Sequence, residues 1–200
     1  GALHVFEALV TPAASQLEKD FFNLLAVYGD AVFFPRLDPE VFRQVGHRLE
    51  LNPDGSLRRV GVVYNEMRGA YSMPESLLFR RIRQSLFPDT AYGVDSGGDP
   101  DVIPELTQER FAAFHSRFYH PSNSFIVIYG DGDTLSELAF IDGEYLSAFD
   151  RREVDSAVGI QRAFDQPVEF AYDYPLSPGE SEEGKAYLSL NWVVSSVLDP

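Results

Sequence analysis

The sequence predicts an α+β fold in which helices dominate and strands are poorly interleaved with them. Three observations carry this. Apolar residues recur at helical spacing in several separate stretches. Phe125-Ile126-Val127-Ile128-Tyr129 is an almost unbroken apolar run of strand length, the pattern of a strand covered on both faces. Two late segments, 167–174 and 185–194, alternate apolar and polar residues as half-buried strands do. The chain contains no convincing internal repeat.

Residues 1–14 are short apolar groups broken by Pro12, an extended or irregular lead-in. A helix is predicted from Glu18 to Phe34, where Phe21, Leu24, Leu25, Tyr28, Ala31 and Val32 fall on one side. Ser15 and Glu18 have capping-box spacing, Gly29 marks close packing, and Pro35 ends the run. Asp38-Pro39 opens a second helix, with Val41, Phe42 and Val45 as anchors and an end near His47. Arg48–Leu51 reads as a brief extended piece and Asn52-Pro53-Asp54-Gly55-Ser56 as a turn.

The stretch Val60–Tyr71 is read as one helix, because Val60, Val63, Met67 and Ala70 repeat at helical spacing. Glu66 then falls at the edge of the apolar face or inside it. A buried carboxylate is costly unless a metal, a cation or hydrogen bonds compensate it. Glu66 is therefore either a salt-bridged or helix-terminal carboxylate, or a ligand. Pro74 starts a further helix, with Ser72 as its cap, Leu77, Leu78, Ile82 and Leu86 inward, and Arg80, Arg81 and Arg83 exposed. Residues 89–106 form a long glycine-rich loop, of the kind that either serves a site or merely connects. Thr107 caps a helix with Phe111, Phe114 and Phe118 on its buried side, and a last helix runs from Leu135 toward Phe149.

Charge and composition exclude several functions. With 31 acidic against 16 basic residues, the net charge of -15 repels nucleic-acid phosphates and anionic lipid heads. The absence of cysteine removes disulfides, thiolate metal sites and a cysteine nucleophile. A hydrophobic share of 44% is enough for a real core, and no apolar run approaches the length of a membrane span. The chain reads as soluble, with its compartment, cytoplasmic or organellar, left open. It starts without Met or a signal peptide and ends abruptly, as a fragment of a longer polypeptide would. Gly93–Gly98 does not have the spacing of a phosphate-binding loop. Asp95, Asp99 and Asp101 lack the twelve-residue calcium pattern. None of His4, His47, His115 and His120 belongs to an H-x-x-E-H or H-E-x-x-H pair, and no serine sits in a nucleophile elbow. His115 is expected to be packed and hydrogen-bonded, and His120 to orient a turn.

Longer motifs carry a resemblance. GVVYNEMRG at 61–69, YSMPES at 71–76, SLFPDTAYGVDSGGDP at 85–100, IPELT at 103–107 and FHSRFYHPSNSFIVIYGD at 114–131 stand in this order. DFFNLLAVYGDAVFFPRL at 20–37 precedes them. Together they resemble the insulinase-like or pitrilysin-like zinc metallopeptidases, family M16, and within it the presequence protease branch. The similarity covers roughly residues 20–150 well and the rest weakly. Val45, His47 and Gly29 depart from the residue types usual in the family at those places.

The resemblance implies part of an α/β sandwich of the LuxS/mitochondrial processing peptidase-like metallopeptidase type. Residues 1–163 would be the C-terminal part of a first catalytic-type domain, and 164–200 a linker and the start of a second. It implies a zinc ion held by two histidines of an inverted H-x-x-E-H helix, whose glutamate is the general base, and by a distal glutamate matched here by Glu66. Asn65 would support that ligand or bond local backbone. Tyr92, Gly97, Gly98 and Asp99 would border the substrate chamber or simply shape their loop. Substrates would be unfolded peptides, and the remainder of the same polypeptide a partner. The H-x-x-E-H motif is absent from all 200 residues, so no catalytic residue is assigned in this chain, and the chain alone is expected to be inactive. The competing reading is a non-catalytic member of the family, kept for assembly or peptide binding.

Overall fold

The computed structural model describes residues 15–194. The expected lead-in over 1–14 and His4 lie outside these residues. The first helix among the described residues, α1 (Glu18–Phe33), has Leu17 at its N-cap and no side-chain cap. Ser15 and Leu17 bond each other in a local turn, so the expected capping box does not form. Glu18 and Asp20 in the first turn favour the helix N-terminus electrostatically instead.

The aromatic side of α1 packs against α6 (Thr134–Glu144) and the turn after it. Phe22 meets Phe140 with ring centroids 5.3 Å apart, and Phe34 stacks on Phe149 at 5.4 Å. Between them Tyr145 is buried, and its hydroxyl donates to the Ala26 carbonyl at 2.6 Å. The Tyr145 ring lies over Gly29 so closely that any Cβ there would overlap it. The contact explains a glycine inside a helix, where it costs about 1 kcal/mol relative to alanine. Asp133 caps α6 by accepting from the Ser136 amide at 3.0 Å.

Pro39 opens α2 (Pro39–Val45), but the Asp38 carboxylate takes Arg36 rather than a helix amide. Phe42 is buried against Phe111 of α5 (Gln108–Phe118), with centroids 5.5 Å apart. Thr107 caps α5 as expected, accepting from Arg110 N at 3.3 Å. Strands β1 (Arg48–Leu51) and β2 (Leu57–Val60) form an antiparallel hairpin in the register Arg48↔Val60 to Leu51↔Leu57. The expected turn lies between them, with Gly55 at φ 83°. Val60 thus ends a strand, and the helix expected from Val60 begins two residues later as α3 (Val62–Ala70). The apolar run hid a strand because Val60 fits both the two-residue and the helical period.

Helix α4 (Pro74–Leu86) has Met73 at its N-cap, and Ser72 donates to the Gly69 carbonyl instead of capping it. Arg80 is buried, not exposed as expected, because the loop after α4 folds back over it.

The fold is mixed α and β, as the sequence predicts, but the three strands predicted after residue 120 are not formed among the described residues. Among the described residues, β1 and β2 make the only ladder. Phe125–Tyr129 belongs to no ladder, with Phe125, Val127 and Tyr129 at 97%, 85% and 99% exposure. Segments 167–174 and 185–194 form no ladder either. The physical reason is shared: an extended segment becomes a strand only when a neighbour takes its N–H and C=O groups. The late segment is nevertheless tied to α4, through Arg81 over the Tyr172 ring at 4.5 Å and Tyr187 donating to Glu75 at 3.2 Å.

The core is correspondingly thin, correcting the expectation from composition. Among the described residues, the buried apolar ones are Phe42, Met67, Ile103, Ile141 and Tyr145. The chain exposes 15488 Å², where a compact monomer of its mass exposes about 9,400 Å². The α1–α6 contact is testable on its own. Tyr145→Phe should cost about 1 kcal/mol by removing one buried hydrogen bond. Gly29→Leu should cost more, about 1–3 kcal/mol, by forcing the ring aside. Urea unfolding midpoints measure both.

Candidate functional site

Glu66 lies in the middle of α3, whose placement is fixed on one side. Val63, Met67 and Tyr71 follow at steps of four, with Met67 buried and the other two half-buried. At the N-terminus Gly61 passes so close to the Gly46 carbonyl that a Cβ would overlap it, and its own carbonyl accepts from Asn65 N at 2.9 Å. At the middle, the Met67 sulfur rests against Gly97, again too close for any side chain at 97. At the C-terminus the Tyr71 hydroxyl donates to Asp95 at 2.6 Å.

The opposite side of α3 carries Asn65 and Glu66, both exposed. Neither side chain has a hydrogen bond or ion pair among the described residues. Glu66 is therefore not the carboxylate at the edge of a buried face that the apolar pattern suggested. Val63 and Met67 face inward as the apolar pattern places them, but Ala70 is exposed, Tyr71 takes the inner side in its stead, and Glu66 lies outside that face. The neighbouring Arg68 does not neutralise it, lying instead 5.8 Å from the Tyr64 ring.

The glycine-rich loop acts as a clamp. Asp95 accepts from Tyr71, from Arg83 at 2.5 Å and from the Gly97 amide at 3.0 Å. Asp99 accepts from buried Arg80 and from the Asp101 amide at 2.9 Å, and its carbonyl takes the Ile103 amide at 2.7 Å. The Arg80 guanidinium also sits 4.6 Å over the Tyr71 ring. Gly98 needs its glycine, with φ 90°. Gly97, Gly98 and Asp99 are thus placed under and behind α3, while Tyr92 packs on Phe87 at 5.6 Å. Sequence reasoning missed Tyr71, Arg80, Arg83 and Asp95. The available signal was an arginine pair at i, i+3 facing two aspartates four residues apart.

Burial works to raise the Asp95 carboxyl, but the hydrogen bonds from Tyr71, Gly97 and Arg83 and the Arg83 charge outweigh it, holding it below the usual carboxylate range. Burial, then the bond to Asp95 and its charge, push the Tyr71 phenol up to about 12. The described histidines are engaged elsewhere. His47 bonds the Leu106 carbonyl at 3.2 Å and Arg59 at 2.8 Å, and His115 bonds the Val32 carbonyl at 2.8 Å. Buried His120 accepts from the Ser122 amide at 3.1 Å, and burial together with the Arg152 charge lowers its pKa. No group of three or more His, Cys, Asp or Glu among the described residues can hold a metal. An exposed carboxylate has the chemistry of an oxygen ligand to zinc, but it belongs to no metal-holding group among the described residues.

A cleft of about 480 Å³ opens beside α3, lined by Tyr64, Arg68, Tyr71, Arg80 and Asp101 among others. A larger cleft of about 960 Å³ at His120 and Arg151 shares no residue with α3 or the clamp. No helix among the described residues is long and apolar enough to cross a membrane.

Comparison with known proteins supplies the class. Residues 105–200 match the family model of the Peptidase M16 inactive domain. The chain is 48% identical over 193 residues to Protein HypA of Clostridium perfringens, covering 95% of this chain and 20% of that protein. It is 42% identical over 207 residues to presequence protease 1, chloroplastic/mitochondrial, of Arabidopsis thaliana, covering 98% of this chain and 19% of that protein. With the mitochondrial presequence protease of Danio rerio it shares 45% over 160 residues, 78% of this chain and 16% of that protein. The chain belongs to the M16 peptidase family, is homologous to its presequence protease branch and lacks the H-x-x-E-H motif. Its mixed α and β structure is part of the sandwich of that family. The chain spans about a fifth of the length of the first two of these relatives.

The clamp makes a prediction about alkaline stability. Tyr71 holds its proton in the folded chain up to about 12, whereas an unfolded tyrosine releases it near pH 10. Its contribution is complete below about pH 10 and is lost as pH rises from there through about 12. Tyr71→Phe should flatten this part of the stability–pH curve, measured by urea unfolding at stepped pH.

Proposed function

We propose that this chain carries the distal-ligand half of a split zinc peptidase site, with Glu66 as the metal ligand. The observation that carries the reading is an exposed carboxylate, free of partners among the described residues, at the centre of a helix fixed at both ends. The two histidine ligands and the general base would come from polypeptide outside these 200 residues. When bound, such a zinc supplies Lewis-acid polarisation of a peptide carbonyl and acidification of a water. Proton transfer would fall to the glutamate of the H-x-x-E-H motif, which this chain does not contain. What the chain's own residues do is hold a carboxylate oxygen toward the metal, with Asn65 beside it and Tyr92, Gly97, Gly98 and Asp99 in the supporting loop. The isolated chain is inactive in this reading. The complete protein is a zinc endopeptidase acting on unfolded peptides, a substrate class suggested by the presequence protease relatives.

The remainder of the polypeptide is the partner that would cover the exposed apolar surface, including Phe125–Tyr129. We place the domain division after residue 163. It is supported by the absence of helix or strand among described residues beyond the turn Leu146–Ala148, although the inactive-domain match runs across it. That match, together with the missing motif, favours a second reading: a non-catalytic family member used for assembly or peptide binding.

Two measurements test these readings. Elemental analysis should find zinc in a version extended upstream through the first domain, not in the 200-residue chain, and Glu66→Gln should remove it. A folded extended form without zinc would favour the non-catalytic reading. Limited trypsin digestion should cut first at Arg162 and Lys185, both exposed, leaving residues before 151 together. Early cleavage within the helices would argue against the division.

A further inference from the structure

A ligand on a helix is only as well aimed as the helix is fixed about its own axis. Consecutive residues of an α-helix point about 100° apart, so a rotation of one step would replace Glu66 by a neighbour. Two side chains on the inner face of α3 oppose such a rotation. Met67 is buried against Gly97, and Tyr71, one turn further on, is bonded to Asp95. Both contacts converge on one loop, because the Gly97 amide donates to the same Asp95 carboxylate. Arg83 from α4 gives that carboxylate its counter-charge at 2.5 Å. Buried Arg80, one turn earlier on α4, holds Asp99 and covers the Tyr71 ring. A carboxylate that only closed the loop would need the Gly97 amide alone. This one joins the loop, α3 and α4 at a single point, beneath the residue that presents Glu66.

We propose that Tyr71, Asp95 and Arg83, acting with the Met67–Gly97 contact, are positioning residues that fix the direction in which α3 presents Glu66. They do not touch the metal. Their role rests on the reading of Glu66 as a ligand, but the clamp itself can be tested without metal.

The chain has no cysteine, so Glu66→Cys and Asp142→Cys give two unique sites for nitroxide labels on the full 200-residue chain, both on exposed positions of separate helices. Pulsed electron paramagnetic resonance should give a narrow distance distribution. Tyr71→Phe and Asp95→Ala should broaden or shift it. Tyr145→Phe, which removes a buried hydrogen bond of the α1–α6 contact, should lower stability without changing it. If Asp95→Ala does not fold, Tyr71→Phe, which removes one hydroxyl, carries the comparison. In the extended, zinc-loaded protein, the same two clamp variants should weaken zinc affinity by about 10- to 100-fold, as supports of metal ligands do. Glu66→Gln should abolish binding. Unchanged distances in both clamp variants would overturn the inference, whatever becomes of zinc. Broadened distances with zinc retained in Glu66→Gln would overturn the ligand reading and leave the clamp standing as a helix-fixing device.

Discussion

The Arg80 guanidinium, buried between the Asp99 carboxylate and the Tyr71 ring, is the contact on which the ordered centre of this chain depends. Removing one partner of a buried ion pair leaves an uncompensated charge and costs about 3–5 kcal/mol, more than a surface pair ever contributes. The other ion pairs are more exposed, such as Arg36 with Asp38 and Arg43 with Glu40, and add little by comparison. With so thin an apolar core, a single polar junction carries unusual weight. It turns a long glycine-rich loop into a bracket and brings α3 and α4 into fixed relation.

Much of the helix content was legible from the sequence because amphipathic spacing is local. α1, α2, α5 and α6 lie close to where their apolar residues place them, and the Thr107 and Asp133 caps follow from side-chain type. Caps that depend on chain direction were less legible: Ser15 and Ser72 found nearer partners in turns. Strands failed for a different reason. The pattern of Phe125–Tyr129 describes what a residue is suited to pair with, not whether the pairing strand is present. The same limit applies to Glu66. Its motif named it through family resemblance, whereas its exposure depended on Met67 and Tyr71, not Ala70, meeting the loop at 95–97.

Arg80 shows the opposite error. Charge alone suggests an exposed side chain, and three arginines within four residues suggest a solvated helix face. The side chain is buried because its counter-charge, Asp99, lies in a loop that folds back over α4, where Asp95 takes Arg83 in the same way. Residues separated by up to 24 positions are joined by this one turn of the chain. A loop judged only by its glycines looks slack, but it is its aspartates that decide its shape.

The unpaired segment Phe125–Tyr129 has a consequence for the chain in solution. Three nearly bare apolar side chains, in a run of strand-forming residues with no ladder partner among the described residues, offer a template on which identical molecules can stack as sheets. Little in the segment itself opposes this, for it holds neither proline nor charge. Protection would have to come from long-range repulsion between molecules of net charge -15. Such repulsion is screened within about 10 Å at 0.1 M salt. The colloidal behaviour of the isolated chain should therefore be governed by ionic strength and by pH relative to its isoelectric point of about 4.5, with fibrous association setting in as either lever removes the charge barrier.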